Sequence, residues 1–178
     1  MDGIIVKYFE LSIVLVLALI SDIRTYKIKN IITLPFMIIG IVTNIYLNSL
    51  QGLFFSLKGI AAPILLLIIF FILRMLGAGD IKLFSSIGAI MGVKFVFYTI
   101  MYTFLTGGLL ALLLMIIRKN GVERFKYLLR YIKSCFITSS ILSYTDFNDK
   151  NDKGKFPFAA AIACGVFVNL FFSKGISL

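Results

Sequence analysis

The stretch "LGAGDIK", Leu76 to Lys82, places the acidic residue Asp80 between two apolar segments of the chain. A long and mostly apolar run precedes it, and the chain becomes apolar again within two positions after it. A carboxylate is costly inside a hydrocarbon layer, so an acid in such a position is a candidate functional residue. The glycines in front of it, Gly77 and Gly79, would let another backbone approach closely or let the chain bend.

The whole chain is apolar. Of its 178 residues, 60% are hydrophobic and only 15% are charged. This composition does not supply the polar surface of a soluble domain, and several apolar runs are long enough to cross a hydrocarbon core of about 30 Å. We therefore predict an all-α, polytopic membrane protein that forms a single domain over residues 1–178. The first apolar run is interpreted as a retained span, because no A-x-A cleavage site follows it.

Six apolar runs are candidate membrane spans. Their approximate limits are 3–21, 31–48, 57–76, 81–97, 99–117 and 157–174. With the N-terminus outside, fourteen Lys and Arg residues fall in inside segments and four in outside segments. Basic residues favour the cytoplasmic side of a membrane, so this orientation is preferred. The formal net charge of +10 mostly reflects this bias, and nucleic acid is not expected as a partner.

Two polar segments lie between the last two spans. Residues 119–136 carry basic side chains on one helical face and apolar side chains on the other, which predicts an amphipathic helix in the cytoplasmic membrane interface. A contact with anionic lipid is preferred over a dedicated substrate-docking helix. Residues 145–155 are polar and contain glycine, which predicts a loop.

The acidic residues are the candidates for chemistry. The chain has no histidine and its two cysteines form no CxxC pattern, so no metal or other cofactor is expected. Of eight acidic residues, most lie at the terminus or in polar inside segments, and Glu10 lies within the first span without a visible partner. We interpret Glu10 as structural. Asp22 and Asp80 remain, and both lie at the inside membrane boundary of the six-span arrangement.

Each of these two aspartates has an ordinary alternative role. Asp22 is close in sequence to Arg24 and Lys27, with which it would pair, and Asp80 would cap the helix that follows it. Their shared depth favours a pair. Two neighbouring carboxylates share one proton, so one takes a proton from water while the other protonates the scissile carbonyl oxygen. Aspartic proteases use this arrangement.

Three motifs carry a resemblance to a known family. "GAGDIKLFSSIGAIMG", residues 77–92, resembles the GxGD-K-L segment of the type IV prepilin peptidases. "SDIRTYKIKN", residues 21–30, is similar to their first motif, and "KFPFAAAIACG", residues 155–165, resembles the Pro-Phe segment that opens their last helix. The resemblance implies that Asp22 and Asp80 are the catalytic pair, and that Gly77 and Gly79 are the glycines of the GxGD motif.

The resemblance also implies an activity. The family cleaves the basic leader of type IV prepilin-like precursors at the cytoplasmic face of the plasma (inner) membrane, so the expected partners are such a precursor and the lipid bilayer. Lys29 stands where the family commonly has proline, which predicts a changed turn after Asp22. The N-terminal region of the long members, which also methylate the product, is missing. Cleavage without N-methylation is therefore expected, as in the short members.

Three further residues belong to these motifs. Lys82 either extends toward the membrane surface or biases the pKa of Asp80, and both interpretations are open. Pro157 and Phe158 are expected to shape the start of the last helix, with substrate contact as the less favoured alternative. Other functions remain as alternatives: a proton-coupled transporter, or a non-catalytic membrane subunit of a pilus or secretion system.

Overall fold

The computed structural model describes residues 2–117 and 158–176, and within these ranges the chain consists of helices and short connections. The helices are α1 (Asp2–Thr25), α2 (Asn30–Ile72), α3 (Ala78–Met91), α4 (Val93–Ile117) and α5 (Phe158–Ile176). The predicted interfacial helix at 119–136 and the predicted loop at 145–155 lie outside the described residues.

The described helices are long and apolar. Among them, Gly3–Thr25, Asn30–Ile72 and Val93–Leu113 have the length and hydropathy needed to cross a membrane, and α5 contains the shorter apolar stretch Phe158–Phe172. Large apolar side chains point outward from the bundle; Ile31, for example, is 78% exposed. Such side chains are stable in contact with lipid and costly in contact with water. The chain is therefore an all-α membrane protein.

Helix α2 reverses direction near its middle. Asn48 and Ser49 have non-helical backbone angles, and the hydroxyl of Ser56 donates a hydrogen bond of 3.4 Å to the carbonyl of Gly40, sixteen residues earlier. In a continuous helix these positions would be about 24 Å apart. Helix α2 is thus a hairpin with a first arm (residues 30–47) and a second arm (residues 50–72). The predicted spans at 31–48 and 57–76 correspond to these arms, but the second begins earlier and ends earlier.

The predicted boundary between spans at 97–99 is wrong, because α3 ends at Met91 and α4 begins at Val93. Gly92 separates them with φ +86°, a backbone conformation that glycine tolerates best. The ring of Phe55 occupies the space beside Gly92, where an added Cβ would be 2.1 Å from Cζ. The absence of a side chain at Gly92 therefore lets the second arm pack against this turn.

Helix α3 lies in the centre of the bundle. It has 14 residues and is about 21 Å long, shorter than a hydrocarbon core. Nine of its residues are buried: Ile81, Leu83, Phe84, Ser85, Ser86, Ile87, Gly88, Ala89 and Ile90. A helix this short is stable in the centre of the bundle because protein, rather than lipid, surrounds it.

Glycines bring α3 against the second arm of α2. A Cβ on Gly59 would lie 1.9 Å from the carbonyl oxygen of Gly88, and a Cβ on Gly88 would lie 2.0 Å from that of Gly59. The two backbones are therefore in direct contact. Within the hairpin, Gly52 approaches the carbonyl of Asn44 in the same way. Small residues at helix interfaces allow such close approach and increase van der Waals packing.

Polar side chains from the hairpin donate hydrogen bonds to the backbone carbonyl groups at the end of α3. The amide of Asn44 donates to the carbonyl oxygens of Ala89 and Ile90 at 2.9 and 3.2 Å, and the hydroxyl of Ser56 donates to Ala89 at 2.9 Å. The last carbonyls of a helix have no partner within the helix, and in an apolar layer an unpaired carbonyl is costly. These bonds allow α3 to end inside the bundle.

Candidate functional site

Four segments meet at one end of the bundle, which we call the carboxylate end: residues 21–30, the end of the second arm of α2, the start of α3 and the start of α5. The side chain of Lys82 in α3 reaches Asn30 at the start of α2, and the backbone of Ala159 in α5 reaches Asp22 in α1. The hairpin turn at Asn48 lies at the opposite end.

Asp22 lies in the last turns of α1 and is 5% exposed. Its Oδ2 accepts a hydrogen bond of 2.8 Å from the backbone N–H of Ala159. Ala159 is the second residue of α5, so this N–H is one of the helix's initial donors, which have no partner in their own helix. The carboxylate and the helix start therefore satisfy each other, since a helix N-terminus attracts negative charge.

Asp80 is the third residue of α3 and is partly buried. Its Oδ2 accepts the backbone N–H of Gly77 at 3.1 Å, while its own N–H donates to the carbonyl of Gly77 at 3.1 Å. The helix-capping role that the sequence allowed is thus confirmed. Capping uses one carboxylate oxygen, and it fixes the side chain at the start of the helix.

The two carboxylates interact electrostatically. Burial raises the pKa of Asp80 to about 6; the N–H of Gly77 opposes this shift, and the negative charge of Asp22 adds to it. A neighbouring carboxylate raises a pKa only when its charge is felt across a short or poorly screened distance. The structure thus brings together the two aspartates that the sequence selected, 58 positions apart in the chain.

Of the two glycines before Asp80, Gly79 allows the close backbone approach that was predicted, whereas Gly77 does not use its conformational freedom. Gly77 has φ −77° and ψ 149°, which most residues adopt, so its conformational freedom is not used. At Gly79, an added Cβ would be 3.0 Å from the carbonyl oxygen of Ile28. The space at Gly79 is thus occupied by the chain's own α1–α2 connection. At Gly77, an added Cβ would lie 3.1 Å from Oδ2 of Asp80.

Lys82 has a definite partner. Its Nζ donates a 2.9 Å hydrogen bond to Oδ1 of Asn30, and the pKa of Asp80 is governed by burial, Gly77 and Asp22. Phe158 opens α5 as expected and packs against the core, whereas Pro157 lies outside the described residues.

Glu10 is far from this site. It lies near the opposite end of α1, is 7% exposed, and accepts a hydrogen bond of 2.5 Å from the hydroxyl of Thr43. No partner for Glu10 was visible in the sequence, and in the structure Thr43 is its partner. This contact supports the structural interpretation of Glu10.

Sequence reasoning missed two contributors to the site. The backbone N–H of Ala159 is one, and its only signal was the Pro-Phe motif just before it. Asn30 is the other; it was noted as the end of the first motif, but its bond to Lys82 was not foreseen.

One family model matches the chain, that of the type IV leader peptidase family, over residues 9–112. The match includes both aspartates, Gly77, Gly79 and the Asn30–Lys82 contact, and it covers more than half of the chain. No curated protein and no solved structure gives a significant match. With Asp22 and Asp80 at one end of a helical membrane bundle, and this match across four of its helices, the chain belongs to the type IV leader peptidase family.

Proposed function

We propose that the protein is an aspartic-type endopeptidase that cleaves the basic leader peptide of type IV prepilin-like precursors. The observation that carries the proposal is the placement of Asp22 and Asp80 at the same end of the bundle, where the charge of Asp22 helps to raise the pKa of Asp80. Membership of a leader peptidase family supports peptide-bond hydrolysis. The two aspartates at the carboxylate end support an aspartic mechanism.

The chemistry follows from a shared proton. At a pH just below the raised pKa of Asp80, the pair carries about one proton, because two close carboxylates do not ionise together without cost. The ionised member takes a proton from water as the water attacks the scissile carbonyl carbon, and the protonated member donates to the carbonyl oxygen. The roles then exchange when the leaving amine is protonated. Backbone N–H groups of Gly77 and Ala159 hold one oxygen of each carboxylate in place.

We also propose that the carboxylate end faces the cytoplasm. Five basic residues of the described chain lie there, namely Arg24, Lys27, Lys29, Arg74 and Lys82, and the positive-inside rule places such residues on the cytoplasmic side. The N-terminus is then outside, in a six-pass arrangement in the plasma (inner) membrane in which α3 is a short, enclosed pass. Water and a membrane-anchored precursor both reach a site at this boundary, and anionic lipid is attracted to the basic surface.

A direct test is leader removal in lipid vesicles. The purified protein is incubated with a type IV prepilin that retains its basic leader and hydrophobic helix, and the products are identified by mass spectrometry. We expect one cut between leader and helix, unaffected by a metal chelator, and no cut with the Asp22→Asn/Asp80→Asn double variant. An intact precursor after long incubation with folded protein would reject the proposal, and loss of cleavage with the chelator would reject the aspartic mechanism.

The rate of cleavage should fall as the pH rises above about 6. Asp80 has a raised pKa of about 6, so it keeps its proton below that pH and loses it above, leaving two negative carboxylates and no acid. The chain has no histidine whose titration in this range would obscure the profile. The measurement is kcat/KM from pH 4 to pH 9 with the unfolding midpoint followed in parallel. A rate that stays constant between pH 5 and pH 8 would contradict the assignment of Asp80.

A further inference from the structure

The connection between α1 and α2, residues 26–29, touches both proposed catalytic segments. Toward α1, the hydroxyls of Ser21 and Thr25 donate to the carbonyl oxygen of Lys27 at 2.9 and 3.0 Å. Toward α3, Ile28 is buried and its carbonyl oxygen lies against Gly79. The connection therefore contacts Ser21, the residue before Asp22, and Gly79, the residue before Asp80.

A side-chain hydrogen bond forms a further link between α2 and α3 beside this connection. Asn30, the first residue of α2, accepts a hydrogen bond of 2.9 Å from Nζ of Lys82, two residues after Asp80. The donor is a charged ammonium, and charge-assisted hydrogen bonds are stronger than neutral ones. The contact is exposed and joins positions 52 apart in the sequence, so it ties the start of α3 to the start of α2.

We propose that Asn30 is a positioning residue for the peptidase reaction: through Lys82 it fixes the first turn of α3, and thus the carboxylate of Asp80, relative to Asp22. The proposal rests on the proposed function. Asn30 touches neither aspartate, and it acts through Lys82 and the backbone of α3. Because displacement of a catalytic group by about 1 Å can lower a rate about a hundredfold, a bond at this place has a measurable effect.

A double-mutant cycle tests the partnership. We expect Asn30→Leu and Lys82→Met each to lower kcat at least about tenfold with KM changed less than about twofold, because alignment rather than binding is lost. The double variant should be no slower than the slower single variant, since both remove the same bond. Asn30→Asp keeps an acceptor for Lys82 and should retain most of the activity. Lys94→Gln removes an exposed positive charge from α4, away from the carboxylate end, and should leave kcat unchanged.

Three results would overturn the proposal: a wild-type rate in Asn30→Leu, effects that multiply in the double variant, or a change confined to KM. A second measurement needs no catalytic activity. Cysteines replace Asp22 and Asp80 in a Cys135→Ala/Cys164→Ala background, and the rate of their cross-linking by a short thiol-specific reagent is followed. Asn30→Leu should slow cross-linking at an unchanged unfolding midpoint, and an equal rate would refute the positioning role. If Asn30→Leu slows cross-linking while the wild-type protein cuts no precursor, the proposed function fails but the positioning of residue 80 by Asn30 stands.

Discussion

Asp80→Asn should abolish leader removal while leaving the protein folded, and Asp22→Asn should do the same. An amide neither supplies nor takes up the proton that the reaction requires, so we expect each rate to fall by about a thousandfold or more. The amide oxygen still accepts the N–H of Gly77 in one variant and of Ala159 in the other, so the local structure is kept. Single-turnover cleavage in vesicles, with the unfolding midpoint measured on the same preparations, gives both quantities.

Glu10→Gln is the matched control for these variants. Glu10 is also a buried carboxylate on α1, but it lies toward the opposite end of the bundle and its partner is Thr43. The change from acid to amide is the same, and the burial of Glu10 matches that of Asp22, but the location differs. We expect the rate to stay within about threefold of wild type, the range of an incidental packing effect. Wild-type cleavage by either Asn variant would show that the pair is not catalytic.

Gly88→Ala should strongly destabilise the protein. Its new methyl group would lie 2.0 Å from the carbonyl oxygen of Gly59, so α3 and the second arm of α2 must separate. Overpacking of a well-packed core costs about 1–3 kcal/mol and sometimes more, and here the obstacle is backbone, which has no alternative rotamer. We therefore expect a loss at the upper end of that range, about 3 kcal/mol. Thermal or denaturant unfolding in detergent measures it.

Gly108→Ala is the corresponding control. Gly108 is also inside a helix, but a Cβ added there meets no atom within 4 Å. Alanine is favoured over glycine in a helix by about 0.5–1 kcal/mol, so this variant should be as stable as wild type or more stable. Equal unfolding midpoints for Gly88→Ala and Gly108→Ala would contradict the backbone contact between Gly59 and Gly88.

The sequence predicted the helices well and their limits less well. Apolar runs located α1, both arms of α2, α4 and α5, because a helix that faces lipid is apolar along its length. The break at Gly92 was missed, since "GAIMGVKFVF" is apolar except for Lys94, and the turn depends on the positive φ of Gly92 and on its contact with Phe55. The second arm begins before its apolar run because Gly52 packs on Asn44, which no local pattern reveals.

The candidate site was predictable where side-chain chemistry identifies it. Asp22 and Asp80 stand out in the sequence as acids at one predicted membrane boundary, and the structure places them at the same end of the bundle, where the charge of Asp22 helps to raise the pKa of Asp80. The N–H of Ala159 was not predictable, because every residue except proline carries the same group. The bond from Lys82 to Asn30 was not predictable either, since a lysine and an asparagine this far apart in sequence have no pattern that joins them.

The reversal of α2 at Asn48 and Ser49 also matters for handling the protein. Both residues are exposed, and the first arm carries them about 27 Å from Asn30. The first arm begins and the second arm ends at the carboxylate end, so the turn lies at the opposite end of the bundle. An affinity tag or fluorophore inserted at this turn would thus immobilise or report on the protein while leaving the carboxylate end clear.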